Sequence, residues 1–200
     1  MMNMIGHREP VIFSQVVESL VQLTGKERFN ADLRKRLKAI GVDLDQPLLV
    51  AYSVPTWLAM VGVCAELLYS HLPMEQARYR IGYELAEAYG RTTIGGAVFQ
   101  LFRMCGWKNS LPRISRGLQS GTNFLSAQSQ FVEGGSLEMC FEVLPEFHGA
   151  LGNQPGIDPY FMNGTMDAMM ALVGAPFRSG EYQPQKSGLQ HTVYLLRRKD

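Results

Sequence analysis

The side chains able to do chemistry are few and scattered. Cys64, Cys105 and Cys140 are odd in number, far apart and each set in an apolar run. That is the pattern of buried, reduced thiols rather than of a disulfide frame or a zinc knuckle. His7, His71, His148 and His191 form no HxxxH or HExxH pair and no CxxC accompanies them, so no metal centre is expected. No GxSxG elbow occurs. A serine or Cys140 meeting His148 or His191 in space is the arrangement an undetected enzyme would use, and any chain of this length offers such pairs by chance. GxGxxG between a strand and a helix and GxxxxGKS/T are both absent, and GRTTIGG lies inside helical sequence, where it suits helix packing better than a phosphate. The expectation is a protein that is not an enzyme and carries no cofactor.

Three groups invite a binding role. Arg34, Lys35, Arg36 and Lys38 ring one short helix, either a contact for a phosphate, a nucleic acid or an acidic partner, or simply a solvated face. The stretch WKNSLPRISRGLQSGTNF contains Lys108, Arg113 and Arg116 with no acidic residue, and Pro112, Gly117 and Gly121 break it. It is a host for binding residues or a plain connector. Met162, Met166, Met169 and Met170 share one helix. They offer an adaptable surface for a lipid-like ligand or a partner helix, with core filling as the alternative.

The elements that must position these groups follow from composition and periodicity. Two hundred residues at 46% hydrophobic content form one domain with a sizeable core. Lys and Arg total 19 against 18 for Asp and Glu, a net charge of +1, so no overall field draws in nucleic acid or an anionic membrane. No window is long and apolar enough for a membrane span, and MMNMIGHREP lacks the apolar run of a signal peptide. A cytoplasmic location is expected.

The chain is organised around Gln76 to Gly106, read as two helices joined at a glycine. Ile81, Leu85 and Ala88 follow helical spacing in the first; Ile94, Val98, Leu101, Phe102 and Cys105 form an apolar stripe in the second, which Gly106 ends. Gly82, Gly90, Gly95, Gly96 and Ala97 would let another backbone come close, at roughly 1 kcal/mol of helix propensity per interior glycine. Upstream, Pro10 to Thr24 mixes two spacings and predicts a helix ended by Gly25, with a strand for its first residues as the alternative. A helix over Phe29 to Ile40 follows, with Asn30 as N-cap and Gly41 as terminator. Next comes a helix from Pro55 to Ser70, capped by Ser53 or Thr56.

Downstream, Phe124 to Val132 predicts a strand, residues 133–135 a turn, and Leu137, Met139, Phe141 and Val143 alternate with polar residues in the clearest strand of the chain. A loop from Pro145 to Gly156 leads to a helix capped by Asp158, running through Phe161, Met166 and Met170 and closed by Gly174 and Pro176. Phe177 to Gln183 and Leu189 to Leu196 predict two last strands. The fold class is therefore α+β: a helical half, about 10–106, packed on a small antiparallel sheet of ββαββ order, about 120–198.

The segments LFRMCG and GTNF, preceded by GVDLDQPLLVAYSVPTWLAMV and followed by PYFMNGTMDAMMALVGA with its YFMNG, carry a resemblance. From about Val11 to Arg198 the chain resembles a family of paralogous single-domain proteins abundant in myxobacteria that carry a domain of unknown function. In element order that family is similar to the vinyl-reductase-type domain, the transport-particle subunits and the haem nitric-oxide-binding sensors, an analogy of architecture. The haem-binding member's YxSxR triplet and its proximal histidine are missing: Tyr69-Ser70-His71 lacks the following arginine. The resemblance implies a sensor or interaction module with a hydrophobic cavity, dimerising through helices.

The residues and the resemblance point the same way, to a non-enzymatic domain that binds a small apolar ligand or a protein partner. Phe161, Met166 and Met170 are expected to line the site, with Arg113, Arg116 or His191 holding a polar end of the ligand. The rival readings are a ligand-free homodimeric scaffold for signalling proteins and an undetected enzyme. Nucleic acid is not an expected partner.

Overall fold

The computed structural model describes residues 9–23 and 30–199. Gly25, the expected end of the first helix, lies outside them. The chain opens on strand β1 (Val11–Phe13), turns directly into α1 (Ser14–Leu23), and β1 pairs antiparallel with β2 (Ala51–Ser53). The mixed spacing at the start thus encodes both a strand and a helix. Ile12 also bridges to Thr122, tying the first segment to the middle of the chain.

Local signals fix most helix ends. In α2 (Ala31–Ala39) the Asn30 side chain accepts from the Leu33 N–H at 2.9 Å, and Gly41 follows with φ +89°. In α3 (Val54–Leu68) Ser53 caps the Thr56 N–H and Pro55 sits in the first turn. The central hairpin is α4 (Met74–Arg91) and α5 (Thr93–Cys105). Its joint is not a glycine: Gly90 stays inside α4, and Thr92 breaks the chain because its hydroxyl accepts from the Gly95 N–H at 3.0 Å, competing with helical continuation.

The face α5 buries also differs from the expected stripe. Gly95, Phe99 and Phe102 point inward, whereas Ile94 and Leu101 are more than half exposed, at 56% and 53%, and Met104 reaches 79%. Gly95 explains the rotation. A Cβ there would lie 2.0 Å from the Tyr89 carbonyl oxygen, so this glycine is pressed against the end of α4 and carries the Gly95, Phe99 and Phe102 line inward with it.

Short helices α6 (Trp107–Ser110) and α7 (Ile114–Gln119) lead to the sheet. Its strands β3 (Leu125–Phe131), β4 (Leu137–Val143), β5 (Glu181–Tyr182) and β6 (His191–Leu196) lie in the order β3-β4-β6-β5, all antiparallel. Along β4 Leu137, Met139, Phe141 and Val143 are buried in strict alternation. The expected loop over Pro145 to Gly156 contains a 3-10 turn and a short helix α8 (His148–Leu151), and the long helix α9 (Pro159–Leu172) precedes β5. The expected strand over Phe177 to Gln183 shortens to the two residues of β5 plus a bridge from Phe177 to Arg198, because the Ser179 hydroxyl and the Gly180 N–H bond Asp167 instead of a neighbouring strand.

The two halves meet where α4 crosses α9, backbone against backbone. A Cβ on Gly82 would lie 2.0 Å from the Phe161 carbonyl oxygen, and one on Gly164 1.9 Å from that of Tyr79. The Thr165 hydroxyl, which donates within α9, lies 3.3 Å from the Gly82 carbonyl. One hydrophobic core runs through both halves, from Leu33 and Leu37 of α2 to Tyr194 and Leu196 of β6.

Candidate functional site

Next to the α4–α9 crossing the helices do not close completely. A cavity of about 120 Å³ is walled by Trp57 and Leu58 of α3, Leu85, Ala86 and Tyr89 of α4, Val98, Phe99 and Phe102 of α5, Ile114, Gly117 and Leu118 of α7, and Phe161, Met162, Thr165 and Met169 of α9. Trp57 meets Phe161 edge to face, ring centres 5.5 Å apart, and Phe99 meets Phe102 in the same way at 6.3 Å, the arrangement aromatic quadrupoles favour.

The few polar groups in the wall already have partners. The Tyr89 hydroxyl lies 3.0 Å from Ser120 Oγ, and the Thr165 hydroxyl donates to the Phe161 carbonyl at 3.0 Å. Asp158 accepts from the Tyr160 and Phe161 N–H groups at 3.1 and 3.0 Å as the cap of α9, and its other oxygen accepts from Arg78 at 2.9 Å. A space bounded by carbon and by satisfied polar groups suits an apolar guest and gives water little to bond.

Of the expected ligand contacts, the cavity wall includes Phe161 alone. Met166 is fully buried one step round α9, beside Gly180, and Met170 borders a much smaller gap with Trp107, Leu111 and Val173. On α9 the residues that face this cavity are Phe161, Met162, Thr165 and Met169. Arg113, in a 3-10 turn over Leu111–Arg113, and Arg116, on α7, are both exposed, Arg113 donating to the Asn109 carbonyl. His191 is exposed at the start of β6, its ring nitrogen 3.0 Å from the Lys186 carbonyl. The polar end of the cavity is instead Tyr89 with Ser120, and Asp158. Trp57, Tyr89, and Phe99 with Phe102 come from three helices, α3, α4 and α5, and their only sequence signal is an aromatic on the inner face of each.

A second polar cluster holds α4, α9 and the start of β5 together. Asp167 is buried; its Oδ2 accepts from the Tyr79 hydroxyl at 2.8 Å and the Ser179 hydroxyl at 2.6 Å, and its Oδ1 from the Gly180 N–H at 2.8 Å. Burial pushes the carboxyl above the ordinary range, against the three donors, and burial pushes the Tyr79 phenol up to about 12. Both groups therefore favour their neutral forms, the opposite of an activated nucleophile and its base.

The sign of the pH effect follows. Near the ordinary carboxylate value of about 3.9 the unfolded chain loses this proton first. As pH rises from there through the raised folded value, the folded state binds more protons and stability falls. Asp167→Asn, whose amide can bond both hydroxyls, is expected to gain stability relative to the parent as pH rises from about 4 to 7. Urea unfolding of both proteins across that range measures it, and a constant or reversed difference would contradict it.

The remaining chemical candidates are accounted for by structure. The basic helix α2 is largely neutralised: Arg34 pairs with Asp45 at 2.8 Å, Arg36 with Glu66 at 2.7 Å and Lys38 with Asp43 at 2.8 Å. Burial pushes the Cys64 thiol up to about 12 and also raises Cys140, which Glu142 and Glu138 flank. Neither is a poised thiolate. Among the described residues no cluster of His, Cys, Asp or Glu could hold a metal ion, and no helix is long and apolar enough to cross a membrane.

This α+β architecture is that of the H-NOX domains. An H-NOX protein from S. oneidensis in the Fe(II) ligation state superposes with a TM-score of 0.65 at 9% identity, covering 94% of this chain and 97% of the other. An H-NOX protein from S. oneidensis in the Fe(II)NO ligation state gives 0.63 at 9% identity, covering 94% and 100%. A mutant H-NOX from T. tengcongensis gives 0.60 at 11% identity, covering 94% and 97%. At such identities the likeness establishes the fold. The chain itself belongs to the DUF2378 family, proteins of unknown function, which matches residues 10–197. No curated protein matches it in sequence.

Proposed function

We propose that this protein is a non-enzymatic sensor or carrier domain that binds a small apolar ligand in the cavity between α3, α4, α5, α7 and α9. The observation that carries the reading is that cavity: about 120 Å³ of space walled mainly by aromatic and aliphatic side chains. Engineered apolar cavities of about 150 Å³ stay dry and take up benzene or xenon, which sets the scale of the guest. A hydroxyl on the guest would find the Tyr89 and Ser120 hydroxyls.

H-NOX structures concern iron and haem, and the residues here do not fit that group. The wall contains no histidine or cysteine. His71 and His191 are exposed and His148 bonds the Val143 carbonyl, so among the described residues no imidazole reaches the space. The one hydroxylated ring, Tyr89, is held by Ser120. The volume also lies below the roughly 300–1,000 Å³ of sites for larger ligands.

Native mass spectrometry of the protein purified from its source, followed by denaturation and a scan for released small molecules, tests the proposal. A stoichiometric apolar compound is the expected result. A clean apo mass in every preparation would remove the carrier reading and favour a scaffold.

A further inference from the structure

The hydroxyls in the cavity wall have their protons placed and their lone pairs open. A serine, threonine or tyrosine hydroxyl has one proton to donate, so once that proton is committed the oxygen meets a guest only as an acceptor. Ser120 Oγ donates to the Gly117 carbonyl at 2.6 Å. In the 3.0 Å contact between the Tyr89 hydroxyl and Ser120 Oγ, Tyr89 is therefore the donor. The Thr165 proton goes to the Phe161 carbonyl at 3.0 Å, and the Thr122 proton, more weakly, to the Leu118 carbonyl at 3.4 Å. Those four residues supply every hydroxyl of the wall, so whichever of them reaches a guest does so by a lone pair.

The other polar groups of the wall extend this one-sidedness. Asp158 accepts from two N–H groups and from Arg78, and a carboxylate has no proton to offer. The main-chain N–H groups of Ser120, Gly121 and Thr122 are committed to the Gly117 and Leu118 carbonyls at 3.2, 2.9 and 3.0 Å. Against these acceptors the wall sets one side-chain N–H, that of Trp57. Charge sets a second limit. The wall has no Lys, Arg or His, so a carboxylate guest would lose its water without gaining a cation. Asp158 is already paired with Arg78 at 2.9 Å, so an ammonium guest would find no unpaired charge.

Given the cavity as the ligand site, on which this rests, we infer that its guest is a small neutral molecule, mainly apolar, with one hydrogen-bond-donating O–H: an alcohol or a phenol, whose proton the Tyr89 oxygen accepts. Ketones, ethers and nitriles of the same size are discriminated against, because a site that cannot donate leaves their acceptor atoms desolvated and unpaired.

Titration of the protein with toluene, phenol and benzonitrile, followed by methyl resonances, tests this. Toluene reports whether the cavity takes a guest; phenol donates and benzonitrile only accepts. The parent is expected to bind phenol about fivefold or more tighter than benzonitrile. Ser120→Ala removes the group that holds the Tyr89 proton and frees that proton for a guest. In this variant benzonitrile is expected to tighten and the preference for phenol to shrink by about fivefold, with toluene unchanged. The parent's own preference is read without any substitution, so the test stands even if Ser120→Ala folds poorly. Toluene bound but phenol no tighter than benzonitrile, or a preference that Ser120→Ala leaves as it was, would overturn the inference and leave the cavity as the ligand site. Failure of all three to bind would overturn both.

Discussion

Replacing Gly164 with alanine is expected to destabilise the protein by about 3 kcal/mol or more, at the top of the range for overpacking a core. Alanine would ordinarily help a helix, by roughly 1 kcal/mol over glycine. Here its Cβ would lie 1.9 Å from the Tyr79 carbonyl oxygen and 2.8 Å from the Tyr83 nitrogen. Both are main-chain atoms of α4, so no rotamer change relieves the overlap and the two helices must separate. Gly82 is the reciprocal position, where an added Cβ would lie 2.0 Å from the Phe161 carbonyl oxygen, and separation would also loosen the cavity wall on either side. For a chain of this size the loss corresponds to a drop in thermal midpoint of about 6–12 °C. Gly149 in α8 is the control: a Cβ there meets nothing within 4 Å, so Gly149→Ala should be neutral or slightly stabilising. Calorimetry on both variants decides it, and a Gly164→Ala protein as stable as the parent would mean that α4 and α9 do not touch at the backbone.

The second large effect is expected from Ala86→Leu. Ala86 is buried in the cavity wall between Leu85 and Tyr89, and a leucine there adds three carbons to a space now without them. Filling void volume returns about 24 cal/mol per Å³ in the reverse sense of large-to-small substitutions, so a gain of about 1–2 kcal/mol is expected after some strain. The same change should abolish uptake of a small apolar probe such as benzene. Stability by urea unfolding and benzene binding by titration of methyl resonances give the two readouts together. A destabilised variant that still binds benzene would place the guest elsewhere.

Much of the fold is legible in the sequence because it rests on local signals. Asn30, Ser53 and Asp158 cap the helices they precede, the alternation in β4 is strict, and Gly82 and Gly95 are positions of close backbone approach. The α+β class follows from those elements. What the sequence does not reveal is which way an apolar stripe faces. Ile94, Leu101 and Met104 have core chemistry, yet the contact of Gly95 with the end of α4 rotates them outward, and that contact is tertiary. The site was hidden for a related reason. Met162, Met166, Met169 and Met170 make α9 apolar on more than one side, so periodicity identifies the helix without choosing between the line of Met166 and Met170 and the cavity-facing line of Phe161, Thr165 and Met169. Trp57, Tyr89 and Phe99 reach the cavity from three other helices, a convergence that no local spacing encodes.

The most direct test of the apolar cavity is a crystal structure of the protein equilibrated with xenon, which binds where a dry, carbon-lined space exists. The expected result is a xenon atom bounded by Trp57, Phe99 and Phe161 in the parent and absent from the Ala86→Leu variant. A core closed around these rings, with no xenon between α3, α5 and α9, would contradict the proposal that this domain receives a small apolar ligand.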